Sequence, residues 1–233
     1  MKNYISISGK TTELTDDQVQ ELGFQVDRPD TISELIEAVR SGNARERYKV
    51  RDTVTVGSIE LEIIGFDHDK DMDDPNKPTI TLMGKTLLPA RRMHGGACKG
   101  GWRDSELRSW LNAEYYNQLP EELAAHIRKT QKVTHTSNGD RTMTSDKLFI
   151  PSESEMFGSA IYCNYEEGPR YEAFATSEDR VRVDEDGYTD WYWTRSCACG
   201  ISTSFCRVNN YGAAGYDYAS YTTIRAPLCF LIS

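Results

Sequence analysis

"GGWRDSELRSWLNAEYYNQL", Gly100–Leu119, is the stretch on which the fold class turns. Asp104 or Ser105 can cap a helix start, and Leu107, Trp110 and Leu111 then fall on one apolar face. Pro120 opens a second helix whose Leu123, Ala124 and Ile127 face inward. On either side of these two central helices the period drops to two. Val50, Val54 and Val56, then Ile59, Leu61 and Ile63, alternate with polar residues across Gly57-Ser58, which predicts a β-hairpin. A further strand is expected around Thr79–Met83. "DKLFIPS" (146–152), "VRVD" (181–184), "DWYWTRS" (190–196), "SFCRV" (204–208) and "APLCFLIS" (226–233) supply short strands between irregular loops. Ser152 with Glu155 should cap a helical turn at Met156-Phe157. Helices in the middle and strands at both ends predict an α+β fold, its strands mostly antiparallel, not a βαβ repeat.

Toward the start, residues 1–46 read as a small helical appendage to a domain of residues 47–233. Thr15 with Gln18 forms a capping-box pattern ahead of Val19 and Leu22, and Gly23 stops the helix. Thr31 with Glu34 repeats the device before Ile32, Leu35, Ile36 and Val39, and Gly42 ends that helix. Such an appendage could hold a second copy or a larger assembly.

Composition excludes several classes. A hydrophobic fraction of 38% with 10% aromatic residues describes a folded chain. No apolar run is long enough to span a bilayer, and "MKNYISISGKTTELTDD" lacks the apolar stretch of a secretion signal. The formal net charge of −9, with scattered basic residues, argues against nucleic acid as partner. The six cysteines, without an export signal, predict buried thiols, not disulfides. Cys197-Ala-Cys199 is not zinc-knuckle spacing. The alternating Asp67, Asp69, Asp71 and Asp73 suggest calcium, but Met72 stands where such a loop needs Gly and Pro78 where it needs Glu. A solvated hairpin loop is the expectation there. Phosphate-binding loops, His-Glu-x-x-His and nucleophile elbows are absent, and His68, His94, His126 and His135 stand isolated. No cofactor and no enzymatic activity are expected.

What remains is the segment from Cys197 to Arg225. Tyr, Ser, Gly and Asn crowd it, the vocabulary of adaptable binding loops. Phe205, Tyr211, Tyr216, Tyr218 and Tyr221 form a sequence-local aromatic group, and Tyr216 and Tyr218 can share one face of a strand. Lys, Glu, Gln, Met and Trp are missing throughout. Those are the residue types whose codons never end in a pyrimidine, as if adenines in AAC or AAT codons had been rewritten while the last base stayed.

The ordered combination of "VTVGSIELEIIGFDHD", "GGWRDSELRSWLNAEYYNQLPEEL", "TSDKLFIPSESEMFGS", "WYWTRS", "SFCRVNNYG" and "ASYTTIRAPLCFLI" resembles a large family of domains of formally unknown function from gut bacteria and their phages. The resemblance covers roughly residues 48–233 and implies a C-type-lectin-like fold. It further implies a variable protein of a diversity-generating retroelement, the phage versions being receptor-binding proteins at tail tips. On that resemblance the chain is a virion or cytoplasmic protein whose variable region, about 197–225, meets a protein or glycan on a cell surface. The exchangeable positions would be Cys199, Ile201, Thr203, Ser204, Arg207, Asn209, Tyr211, Ala213, Tyr216, Asp217, Tyr218, Tyr221 and Thr223. Trp191 and Trp193 would be core, Arg195 a structural donor, and Cys206, Val208 and Phe230 the support beneath. Thr223 stands where the family's usual Gly-Val-Arg-Pro has Gly. Calcium-dependent sugar binding does not carry over, since Asp74-Pro75-Asn76 is only a partial echo and no Trp-Asn-Asp exists. Two other readings stand beside this one. One is an undiversified structural or assembly subunit. The other is an oxidase of the formylglycine-generating type, through Cys197 and Cys199 or Cys206 and Cys229.

Overall fold

Alternating apolar residues build the main sheet. A computed structural model describes residues 3–7, 10–15, 18 and 30–233 of the chain. Strands β4 (Thr53–Val56) and β5 (Ile59–Phe66) form the expected hairpin, with Val54 opposite Leu61 and Val56 opposite Ile59. β6 (Ile80–Gly84) lies along β5, and β14 (Cys229–Ile232) lies along β6. With β3 (Asp30–Thr31), β7 (Ile127–Arg128) and β10 (Leu148–Phe149), these make a seven-stranded sheet in the order β10-β14-β6-β5-β4-β3, β7 also pairing with β14. A two-stranded ribbon, β8 (Thr130–His135) with β9 (Arg141–Asp146), and a three-stranded sheet, β11 (Tyr192–Cys197), β12 (Ser204–Val208) and β13 (Ala214–Tyr218), complete residues 31–233. Trp102, Phe149, Phe174, Tyr192, Trp193, Phe205 and Phe230 are fully buried in one core.

The fold is therefore mostly β, and the expectation of an α+β, C-type-lectin-like fold with two central helices does not hold. Gly100–Leu119 is α-helical only across α3 (Glu106–Trp110), capped by Ser105 as expected. It widens to a π turn over Leu111–Tyr115 and tightens to 3₁₀ at Tyr116–Gln118. Asn112 supplies the reason. Its Nδ2 donates to the Arg108 carbonyl, inserting a side chain into the helical ladder, and also to the Leu148 carbonyl, while its Oδ1 accepts from the Lys147 and Leu148 amides. The apolar spacing reported the buried face but not this competition with strand β10. The second helix, α4 (Glu121–Ala124), is a single turn because Ile127 and Arg128 are drawn into the sheet opposite Ile232 and Leu231.

The chain divides into two units, Met1–Asp30 and Thr31–Ser233, a different boundary from that expected at residue 46. In the first, β1 (Asn3–Ile7) and β2 (Lys10–Leu14) pair antiparallel, so the appendage expected to be helical contains a strand pair ahead of Thr15. The Thr15 amide donates to Gln18 Oε1 (2.9 Å) and the Gln18 amide to Thr15 Oγ1 (3.3 Å), so the capping box forms. The helix expected to follow, through Val19 and Leu22 to Gly23, lies outside the described residues. Helix α1 (Ile32–Arg40) starts on the Thr31–Glu34 capping box and buries Ile32, Leu35, Ile36 and Val39 in the main core, while α2 (Ala44–Arg47) is one further turn. Among the described residues no helix is long and apolar enough to cross a membrane.

Candidate ligand-binding face

The β12–β13 hairpin carries most of the expected positions. Its turn is set by Asn209, whose Oδ1 accepts from the Tyr211 and Ala213 amides (both 2.9 Å), and by Gly212 at φ +76°. Gly212 is also pressed against Ser177: a Cβ there would lie 1.9 Å from the Ser177 carbonyl oxygen. Arg180 Nε donates to the Gly212 carbonyl, fixing that approach. Gly212→Ala is expected to lower stability by at least ~2 kcal/mol, through both the clash and the left-handed backbone. Chemical denaturation checks this, and an unchanged midpoint would mean the hairpin tip is free to lift away.

The pleat then sorts the side chains. Ser204 opposes Tyr218, Cys206 opposes Tyr216 and Val208 opposes Ala214, so these six project to one side. Phe205, Arg207, Gly215 and Asp217 project to the other. On the first side Ser204, Cys206 and Val208 are buried, but Tyr216 and Tyr218, at the margin, are not. Tyr162 packs edge-on against Tyr216 at 5.1 Å and Tyr221 edge-on against Tyr218 at 5.5 Å. With Ile161 beside Tyr162 these form an exposed aromatic strip. On the opposite side Arg207 lies 3.8 Å over the ring of Trp191 and pairs with Asp217 at 2.5 Å. Trp191 Nε1 donates to Asn210 Oδ1.

Several expected positions therefore behave differently from a single variable patch. Tyr211, Tyr216, Tyr218 and Tyr221 are between 41% and 76% exposed, and Thr203, Ala213 and Thr223 are also exposed. Ser204 is buried under the Cys98 thiol, which donates to its carbonyl, so it cannot meet a ligand. Cys199 is half-buried, and Ile201 packs on the small cluster of Cys163, Ala198 and Cys206. Asn209 is committed to the turn, and Arg207 and Asp217 to each other. Thr223 does not take a positive φ, so the last turn needs no glycine. Of the expected core residues Trp193 is buried, but Trp191, which lies just before the start of β11, is 38% exposed, and Arg207 covers one face of its ring. Phe205, grouped with the exposed tyrosines in the sequence, is also core.

Tyr162 and Ile161 were missed because they lie far from the tyrosine-rich segment in sequence. They are carried by the loop after α5 (Glu153–Phe157), itself started by the expected Ser152–Glu155 capping box. Fully buried Glu153 holds that loop. Its Oε2 accepts the consecutive amides of Ile161, Tyr162 and Cys163, each at 2.8 Å. Below it, Glu167 accepts from the His135 amide and from Ser196 Oγ, and its carboxyl is pushed up to about 7 by burial against the pull of Arg195.

Arg195 is a structural donor, as expected, and anchors a buried charge network. Its Nη1 and Nη2 fork onto Glu155 Oε2 (2.5 Å) and Oε1 (2.8 Å), with further bonds to the Ile150 and Glu167 carbonyls. Lys132 Nζ bonds Asp69 Oδ1 (2.5 Å), Glu155 Oε1 (3.3 Å) and the Tyr171 hydroxyl (2.9 Å). Asp69 and Asp71 are thus buried, where a solvated loop had been expected. His68, Asp69 and Glu155 offer ligand atoms within 4.8 Å of one another, the one such group among the described residues. Lys132 and Arg195 already neutralise these carboxylates, so an added cation would have to displace an ammonium. All six cysteines are free thiols, and Cys206 and Cys229, one of the two pairs suggested by the sequence, have different neighbours. Cys206 sits with Cys163, and Cys229 lies in β14 opposite Met83. A hydrogen bond with Cys98 and then burial push the Cys197 thiol far up, and burial does the same for Cys163, Cys206 and Cys229. Such thiols stay protonated and are poor nucleophiles.

A profile for a domain of unknown function, DUF6273, matches residues 78–232. The chain belongs to the DUF6273 family. The matched span holds β6 through the end of β14, and with it the hairpin, the Glu153 loop and the Arg195 network. Helices α1 and α2 and strands β4 and β5 fall outside it. No curated protein and no solved structure matches.

Proposed function

We propose that this DUF6273 protein is a non-enzymatic binding protein that presents the β13 tyrosine strip to a macromolecular ligand on a cell surface, as a phage receptor-binding or bacterial adhesion protein. The supporting observation is that Tyr211, Tyr216, Tyr218 and Tyr221 of the segment that lacks Lys, Glu, Gln, Met and Trp face water instead of packing inside, Tyr218 against Tyr221 and Tyr216 against Tyr162. Tyrosine supplies wide contact area at small entropic cost, and a few such anchors dominate an interface. Diversification by a retroelement rewrites the exposed positions, while Gly212, Ser204 and Phe205 keep the frame. The first unit, or helix α1, joins the domain to its assembly, the virion in the phage case.

The test is retention of the full chain on intact gut-bacterial cells, compared with Tyr216→Ala, Tyr218→Ala and Tyr221→Ala. Each substitution is expected to weaken binding by roughly 5- to 30-fold, about 1–2 kcal/mol. Binding that survives loss of all three rings would leave the assembly-subunit reading in place. Purine-ending codons across the exposed positions would remove the retroelement.

A further inference from the structure

Strand β13 has an open edge, and its backbone groups have a definite orientation. The Asn209 amide donates to the Ala213 carbonyl and the Ala219 amide to the Thr203 carbonyl, so these two pairs are hydrogen-bonded pairs of the antiparallel ladder. Counting inward by twos along the regular register, Gly215 and Asp217 turn their amides and carbonyls toward β12. Ala214, Tyr216 and Tyr218 turn theirs away. β13 is the last strand of its sheet, and among the described residues only the Tyr218 carbonyl on that edge has a partner, the Tyr221 amide. The amide and carbonyl of Ala214 and of Tyr216, with the amide of Tyr218, form a short open row.

Folded chains normally protect such a row with Lys, Pro, a bulge or a covering loop, because it is a template for another strand. "AGYDY" has no Lys and no Pro, and its register with β12 carries no bulge. The same residues whose backbone faces outward, Tyr216 and Tyr218, supply the exposed rings, so an incoming strand would meet hydrogen-bonding groups and side-chain pockets together.

We infer that the ligand is an extended peptide segment of a partner protein, added to the edge of β13 as a fourth strand. This rests on the binding role proposed above and names the chemistry of its partner. The segment is neutral or basic, because the chain carries a formal net charge of −9, which also disfavours pairing of two copies edge to edge.

The probe is a displayed library of random linear peptides selected on the immobilised full chain, followed by residue-resolved amide exchange with and without a selected peptide. In the free protein the amides of Ala214, Tyr216 and Tyr218 exchange rapidly, while those of Gly215 and Asp217 are protected. The selected peptide should slow the three outward amides by at least ~10-fold. Ala214→Pro removes one outward donor and no aromatic ring, and should weaken the peptide about tenfold. A bound peptide that leaves those amides exchanging as before overturns the edge, as does a selection that retains nothing above an unrelated protein surface. If cell binding still depends on the tyrosines in either case, the binding role stands without the strand. Protection that appears without peptide and grows with protein concentration would make the occupant a second copy, and would also overturn the proposal.

Discussion

Arg195→Met is expected to destabilise the protein by about 3–5 kcal/mol, enough to leave a marginal domain largely unfolded. Arg195 is fully buried, and its guanidinium forks onto both oxygens of Glu155. Burial pushes the Glu155 carboxyl upward, but the charges of Arg195 and Lys132 and the hydrogen bond from Arg195 outweigh it and hold the group well below the usual carboxylate range. Methionine fills much of the volume but leaves that carboxylate with Lys132 as its one bonded cation, beside the Ser152 amide, and strips donors from the Ile150 and Glu167 carbonyls. Arg195→Lys keeps the charge without the fork, so its cost should be intermediate. Urea unfolding measures both, and a loss below ~1 kcal/mol for Arg195→Met would show that the network is dispensable.

Glu153→Ala is expected to cost about 2–4 kcal/mol and, in addition, to weaken ligand binding although no Glu153 atom reaches the surface. One carboxylate oxygen accepts three consecutive amides, and bonds to a charged acceptor contribute more than neutral ones. The total stays below the sum of three such bonds because Ile161 and Tyr162 are exposed, and their freed amides can turn to water. Without the carboxylate, Ile161 and Tyr162 lose their fixed place and Tyr216 loses its edge-on neighbour. Glu153→Gln retains an oxygen acceptor and should fall between alanine and the natural residue. Full binding by Glu153→Ala, with only the stability change, would show that Tyr162 takes no part.

Local signals in the sequence were dependable where one residue's neighbours decided the outcome. The capping boxes at Thr15, Thr31 and Ser152, the Gly57-Ser58 hairpin and the shared face of Tyr216 and Tyr218 were legible because spacing alone sets them. The fold class was not. The apolar face of Glu106–Trp110 continues into residues that look equally helical, and only the Leu148 backbone, distant in sequence, gives Asn112 a reason to open the ladder. Asp69 and Asp71 read as solvated acids because their partners, Lys132 and Ser233, are far along the chain. Glu153 could not be recognised as the anchor of a loop, since three amides leave no mark in a sequence of side chains. The resemblance implied that Trp191 is core together with Trp193, yet Trp191 falls one residue before β11, at the margin of the sheet, and stays partly in water.

The unbulged pairing of β12 with β13 bears on how this segment can change over generations. Swapping one amino acid for another at Tyr216 or Tyr218 leaves its neighbours where they are. Dropping a single codon between Val208 and Ala214 would not, because every later side chain would exchange sides: the tyrosine rings would be turned to the side of Phe205 and Arg207, away from Tyr162, and Asp217 would be brought to the rim. Drift here should therefore proceed by replacement at constant length, and a relative shortened by one residue in this hairpin should have lost its hold on whatever this chain recognises.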